Sequence, residues 1–389
     1  MKKYSILVID ANKKSYDIKI VADDLIKEYI GGYALALKLL DDSDEFKRKN
    51  ALMIFSGALS SYNNVSSRFS LLYSNNLKLS HSSIGGDFSI KLKTFADAII
   101  VLNSFDDLTI VNIGKKIEFI DANDYKDLFN SETFSRLKQN LGKNSSSIYI
   151  SKSALNNDKI ARVIHDKYHG ASSGLASAFY NKNIKAINIV ADEITDDHIF
   201  DDYKNEDEKR CKNCFIGCSS HKKKKAKTIF DKKNASSTFE KRKMELLNKK
   251  IDEYGIDQIA LSKSIEFAKE NLNDIYDFKD LDQSELEIIL DKLFKRNDEK
   301  YIDLLQGRDF LANKYNIKLE KRKKKESFRD SSILMDSIGL CLFTNSKLSY
   351  DDYKNLLEKH FNSKFSTDDL ESLSQKVKLI EKNFISSSF

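Results

Sequence analysis

Asp336-Ser337-Ile338-Gly339-Leu340-Cys341 repeats a hexad met earlier in the chain, Asp252-Glu253-Tyr254-Gly255-Ile256-Asp257. Both follow D-x-x-G-[I/L]-[D/C], and each comes after a stretch with helical periodicity. The glycine suits a left-handed residue that ends a helix, and Asp257 suits the N-cap of the next one. Punctuation accounts for the first copy. It accounts less well for a recurrence that ends in cysteine. A carboxylate at a rigid helix end can also accept paired hydrogen bonds from a flat, N–H-rich heterocycle. A pterin ring has such an edge, which gives Asp252 and Asp336 a second job.

Cys341 is one of four cysteines. The others form Cys211-Lys212-Asn213-Cys214-Phe215-Ile216-Gly217-Cys218, a C-x2-C-x3-C loop. Four cysteines in so long a chain are too few for a disulfide scaffold, so a metal is the better use for them. Three close thiolates and one distant one suit a [4Fe–4S] cubane. With His221 next along, the same loop also suits a Cys3His zinc site. Buried, metal-free thiols are the third reading.

Working outward, the chain has 389 residues, of which 41% are apolar and 32% charged. That length favours more than one domain. The net charge of +6 is mild and does not demand a nucleic acid. The basic runs 221–227 and 321–325 lack interleaved aromatics and read as solvated loops. There is no Pro and no Trp, so turns must rely on Gly, Asn, Asp and Ser. The short apolar stretch after Met1 meets Asp10 at once and is a strand, not a signal segment. No stretch approaches a membrane span, and a cytoplasmic protein is the expectation.

Residues 1–205 alternate apolar runs with polar turns. Strands are expected at 5–9, 51–55, 69–73, 98–102, 108–112, 147–151 and 186–190, and helices at 23–29, 34–40, 133–140 and 158–165. The first strand is not followed by G-x-G-x-x-G, which argues against a dinucleotide fold. Residues 206–389 read as helix. Leu370, Leu373, Val377, Ile380 and Phe384 fall on one helical face, with Ser366 and Asp369 spaced as a capping box ahead of it. Ser349 and Asp352 repeat the device. The expected fold class is α+β, a β-rich domain (1–205) followed by an α-helical region (206–389).

With these residues in hand, the chain resembles the tungsten-containing aldehyde:ferredoxin oxidoreductase family. Tyr29-Ile30-Gly31-Gly32 is similar to the family's Y-I-G-G-R-G opening. Ser66-Ser67-Arg68-Phe69-Ser70 resembles its S-G-R-F-S strand, and Gly85-Gly86-Asp87-Phe88 its G-G-x-F. Lys182-Asn183-Ile184-Lys185-Ala186-Ile187 resembles K-N-L-K-A-I. The resemblance implies a β-rich domain cradling two pterins and a helical region holding the cluster. It implies that Cys211, Cys214, Cys218 and Cys341 ligate a [4Fe–4S] cluster. It carries over Arg68, Asp252, Asp257 and Asp336 as contacts to a tungsten (or molybdenum) bis-pterin, with Cys341 also the link towards a pterin.

The departures matter too. Tyr33 and Ser172 stand where the family has arginines, and a neutral side chain cannot replace a guanidinium on phosphate. Between about 269 and 326 the chain is shorter than the family pattern, where the catalytic Glu and His are expected. No catalytic residue is assigned; His165, His169, His198 and His360 read as surface or packing histidines. The resemblance implies oxidation of a small aldehyde to a carboxylate, with electrons leaving through the cluster to ferredoxin or another one-electron carrier. A decayed relative, acting as an iron–sulfur electron-transfer or cofactor-handling subunit, is the alternative. A zinc-stabilised basic nucleic-acid-binding protein is a weaker one. Neither membrane nor nucleic acid is an expected partner, and a homo-oligomer is compatible with everything above.

Overall fold

The computed structural model describes residues 3–60, 67–75, 78–165, 169–171, 174–191, 228–230, 238–319, 326–341 and 349–386. The cysteine loop 211–218, both basic runs, Ser66, Ser172, His198 and His221 lie outside the described residues.

Among the described residues, twelve strands form two sheets. They are β1 (Ser5–Asp10), β2 (Ser15–Ile20), β3 (Leu52–Ser56), β4 (Phe69–Asn75), β5 (Lys78–Ile84), β6 (Ala98–Leu102), β7 (Thr109–Ile113), β8 (Ile117–Asp121), β9 (Ser145–Ile150), β10 (Val163–His165), β11 (His169–Ala171) and β12 (Ile184–Val190). The first sheet runs β2-β1-β6-β3-β4-β5 and the second β11-β10-β9-β12-β7-β8. Reversing the second order gives β8-β7-β12-β9-β10-β11, which is the first order with six added to each strand number. Pairing sense repeats as well: β1 with β6 and β7 with β12 are parallel, and the other pairs are antiparallel. The β-rich half is therefore an internal duplication in topology.

Leu7, Ile9, Ile54, Leu71 and Ile99 of the first sheet share one buried cluster with Ile148, Ile150, Ile187 and Ile189 of the second. The sheets thus pack face to face. Ala98-Ile99-Ile100-Val101-Leu102 is buried on both faces, which explains its unbroken apolar run. The outer face of the first sheet is covered by the helix Gly32–Asp42 and by the helices Glu326–Ile338, Tyr350–Phe361 and Thr367–Ser386, all in one core. Helices between Thr238 and Lys314 build a separate core of their own. The helical half is divided between two cores, one of them shared with the first sheet.

Both expected capping boxes form. Asp369 Oδ2 accepts from the Ser366 amide at 2.7 Å, and Asp352 Oδ2 from the Ser349 amide at 2.7 Å. Leu370, Leu373, Val377, Ile380 and Phe384 are all buried. Proline-free turns do lean on asparagine: Asn50, Asn103, Asn157, Asn183, Asn316 and Asn362 all take positive φ. Residues 158–165 correct the helix expected there. They make a turn, then Arg162 and β10, because β9 and β11 offer β10 a partner on each side.

Candidate functional site

The two hexads dock on equivalent places of the two sheets. Each ends a helix, Glu326–Ile338 or Thr238–Tyr254, with its glycine at φ +93 (Gly339) or +75 (Gly255). Gly339 lies over Gly57, just after β3; Gly255 lies over Ser151, just after β9. The Gly339 carbonyl accepts from the Arg68 amide at 3.1 Å, and the Gly255 carbonyl from the Arg162 amide at 2.8 Å. Arg68 immediately precedes β4 and Arg162 immediately precedes β10. The sequence repeat of the hexads thus matches the topological repeat of the sheets, in crossed order: second hexad on first sheet, first hexad on second sheet.

Around the second hexad, the structure brings Arg68, Asp336 and Cys341 together. Arg68 donates through Nε to Ser83 Oγ at 2.9 Å and through Nη2 to the Ser83 carbonyl. Its Nη1 lies 3.9 Å from Cys341 Sγ. The Ala58 and Leu59 amides hold the Ser337 and Ile338 carbonyls at 3.1 and 2.9 Å. Asp336 Oδ2 sits 3.7 Å from His81 Nε2. Burial pushes the Asp336 carboxyl up to about 6, against the opposing pull of Arg68. Burial, then Arg329 and Arg68, push the His81 imidazole down to about 3. His81 Nε2 makes no hydrogen bond among the described residues.

Tyr33 stacks on His81 with ring centroids 3.7 Å apart. Its hydroxyl donates to Glu381, which also pairs with Arg329. The position read as a lost family arginine is therefore filled by a fully buried aromatic ring, and the nearby guanidinium comes from Arg329. Sequence reasoning missed His81, Ser83, Arg329 and Glu381. His81 and Ser83 lie on β5, a half-buried strand whose only apolar residues are Leu79 and Ile84, so no period-2 pattern marked it.

The first hexad is arranged differently. Asp252 is half-exposed and pairs with Arg162 Nη2 at 2.9 Å. Asp257 accepts the Ala260 amide at 2.8 Å, as the N-cap of the helix Gln258–Asn271. Glu253 accepts from the amide and hydroxyl of Ser131 at 2.9 and 2.7 Å, tying the helical group to the helix Asn130–Leu141, which packs beside the second sheet. A cavity of about 1090 Å³ opens beside it, lined by Phe129, Leu246, Lys250, Asp252 and Tyr254 among others.

A further buried cluster ties the two sheets. His165 Nδ1 meets the Ser147 carbonyl at 3.0 Å and its Nε2 lies 3.4 Å from Asp87 Oδ1, which also accepts Ser146 Oγ at 2.6 Å. Burial works against the Asp87 carboxylate, but the His165 and Ser146 contacts hold it below the ordinary range. His165 is fully buried, with the Phe69 and Phe88 rings edge-on to its own. His360 is half-buried, with its ring against Phe361. No group of three or more His, Cys, Asp or Glu side chains among the described residues is placed to hold a metal ion. No described helix is long and apolar enough to cross a membrane.

Residues 6–191 match the family described as aldehyde ferredoxin oxidoreductase, N-terminal domain. Over 78 residues, 20% of this chain, the sequence is 35% identical to a tungsten-containing aldehyde ferredoxin oxidoreductase of Thermococcus kodakarensis and 33% identical to that of Pyrococcus abyssi. The matched stretch spans 13% of each relative's length. Among solved structures, the active site complex BamBC of benzoyl coenzyme A reductase, in complex with 1,5 dienoyl-CoA, contains a similar chain. The TM-score is 0.76 over 98% of this chain and 88% of that one, at 15% identity. That likeness is one of fold.

Proposed function

We propose, for a chain whose residues 6–191 belong to the aldehyde ferredoxin oxidoreductase N-terminal domain family, that it is a compact redox protein built around a [4Fe–4S] cluster. Cys211, Cys214, Cys218 and Cys341 are its ligands in this reading. The observation that carries it is the placement of Cys341. The end of the second hexad is clamped by three backbone hydrogen bonds and the sulfur faces the Arg68 guanidinium at 3.9 Å. A fixed cation beside the sulfur complements the charge of a thiolate-ligated cluster.

Arg68, Asp252, Asp257 and Asp336 are the residues this chain offers to a tungsten or molybdenum bis-pterin. The donor set at the second hexad fits such a group. Asp336 and the orphaned His81 nitrogen are two buried acceptors 3.7 Å apart, with Arg68 close enough to pull on the carboxyl. An N–H-rich ring edge satisfies both. Held by these residues, the metal centre would supply two-electron oxidation of an aldehyde, and a cluster on the four cysteines would supply one-electron transfer to ferredoxin or a similar carrier. The protein's share is to hold, orient and insulate.

The second reading, an electron-transfer or cofactor-handling subunit without an aldehyde site, is favoured by Tyr33. Its ring and hydroxyl are committed to His81 and Glu381, where the family pattern places a cofactor-binding arginine. Metal analysis of anaerobically purified protein separates the two. Four irons with stoichiometric tungsten or molybdenum supports the enzyme, and iron alone the carrier. Zinc alone removes both.

A further inference from the structure

We propose that the open edge of β2 is a self-association surface, on which a second copy of this chain pairs its own β2 antiparallel about a two-fold axis at Ile18. β2 ends the first sheet, and all six of its residues are exposed. Tyr16, Ile18 and Ile20 are 50%, 52% and 55% exposed. They lie on the face that Leu7 and Ile9 bury one strand further in, opposite Ile18 and Tyr16. The duplication supplies an internal comparison. On β8, the equivalent strand of the second sheet, Ile117 and Phe119 pack against the core between the sheets and Ile120 against the cluster containing Tyr125 and Leu137. The apolar face of β2 is left without such cover among the described residues.

The backbone is set for pairing. Val21 donates its amide to the Tyr4 carbonyl at 2.9 Å. Strand alternation then points the odd-numbered residues of β2 at β1, and the amides and carbonyls of Tyr16, Ile18 and Ile20 outward. The Ile18 amide is held at 2.8 Å by the carboxylate of the preceding residue, Asp17, a local substitute for a cross-strand carbonyl.

Side-chain parity and charge select a single register. With Ile18 opposite Ile18, Tyr16 faces the second copy's Ile20, an aromatic against a β-branched residue. Asp17 then faces the second copy's Lys19, at sites where antiparallel side chains approach most closely. A slip of one residue sets apolar side chains against charged ones. A slip of two sets Asp17 against Asp17 or Lys19 against Lys19. An edge lysine ordinarily guards against such pairing, but here each lysine meets an acid.

Sedimentation of the full chain at rising concentration tests this. The expected result is a dimer. Asp17→Lys and Lys19→Asp, made singly, each put like charges opposite one another twice per interface and weaken it by about tenfold or more. The combined exchange, D17K with K19D, restores it. Because these side chains are exposed, thermal melts of the variants check that the fold is kept. A wild-type monomer up to about 100 μM, where even small interfaces associate, overturns the proposal. So does a dimer indifferent to the single exchanges, or one that the double exchange fails to restore.

Discussion

Gly57 and Gly339 meet backbone to backbone: a Cβ at Gly57 would fall 2.0 Å from the Gly339 Cα and 2.3 Å from its nitrogen. No side chain can yield there, because both neighbours are main chain. Gly57→Ala is expected to cost at least about 2 kcal/mol, read as a lower midpoint in urea. It should also lower the iron content, since the shift falls on the residues that place Cys341.

The equivalent contact at the first hexad is softer and can be rescued. A Cβ at Gly255 would lie 1.9 Å from Ser151 Oγ, a side-chain atom. Gly255→Ala alone should be strongly destabilising. Adding Ser151→Gly removes the clash and should leave the cost of a non-glycine residue at φ +75, about 1 kcal/mol or somewhat more, together with the loss of the Ser151 hydroxyl's hydrogen bond to the Tyr254 carbonyl. A double-mutant cycle measures the coupling; additivity would contradict the contact.

His81 and Asp336 predict opposing pH dependences. Asp336 titrates near 6 in the fold and at its ordinary, lower value when unfolded, so its contribution to stability falls as pH rises from about 4 to 6. His81 titrates near 3 in the fold and at about 6.5 unfolded, so its contribution rises with pH between those values. In the wild type the two slopes offset one another from about pH 4 to 6, leaving the rise contributed by His360, whose imidazole burial pushes down to about 4. Relative to the wild type, Asp336→Asn should tilt the profile upward and His81→Gln downward, each by up to about 1.4 kcal/mol per pH unit. Urea melts across that range report both signs, and parallel slopes in the two variants would refute the assignment.

Glu381 is buried and shared by Tyr33 and Arg329. Glu381→Ala strands a fully buried hydroxyl and a partly buried guanidinium, and should cost about 3 kcal/mol. Glu381→Gln keeps an acceptor for Tyr33 and should cost visibly less. Thermal melts of the two variants give the comparison; equal losses would mean the pair matters only as volume.

Several parts of this arrangement were legible beforehand because they depend on local sequence. The seven expected strands are all present, since each is an apolar run buried on the sheets. The capping boxes and the hexad glycines work within a few residues and were readable for the same reason. β2 and β8 were missed because little of them is buried, so their alternation carries charge. Residues 158–165 looked helical because Ile160, Ala161 and Ile164 fall three and four apart; Arg162 is instead held by the carbonyl of distant Gly255. The Tyr33–His81–Asp336 cluster joins three elements far apart in sequence and leaves no local pattern. Nor does the crossed match between hexads and sheets, which needs the topology of both.

The most direct test is the iron content of Cys341→Ser, purified without oxygen beside Cys214→Ser and the wild type. The account predicts about four irons in the wild type, as a cubane requires, and comparable loss in both variants. Full iron in the Cys341→Ser protein would show that the thiol beside Arg68 plays no part in the cluster.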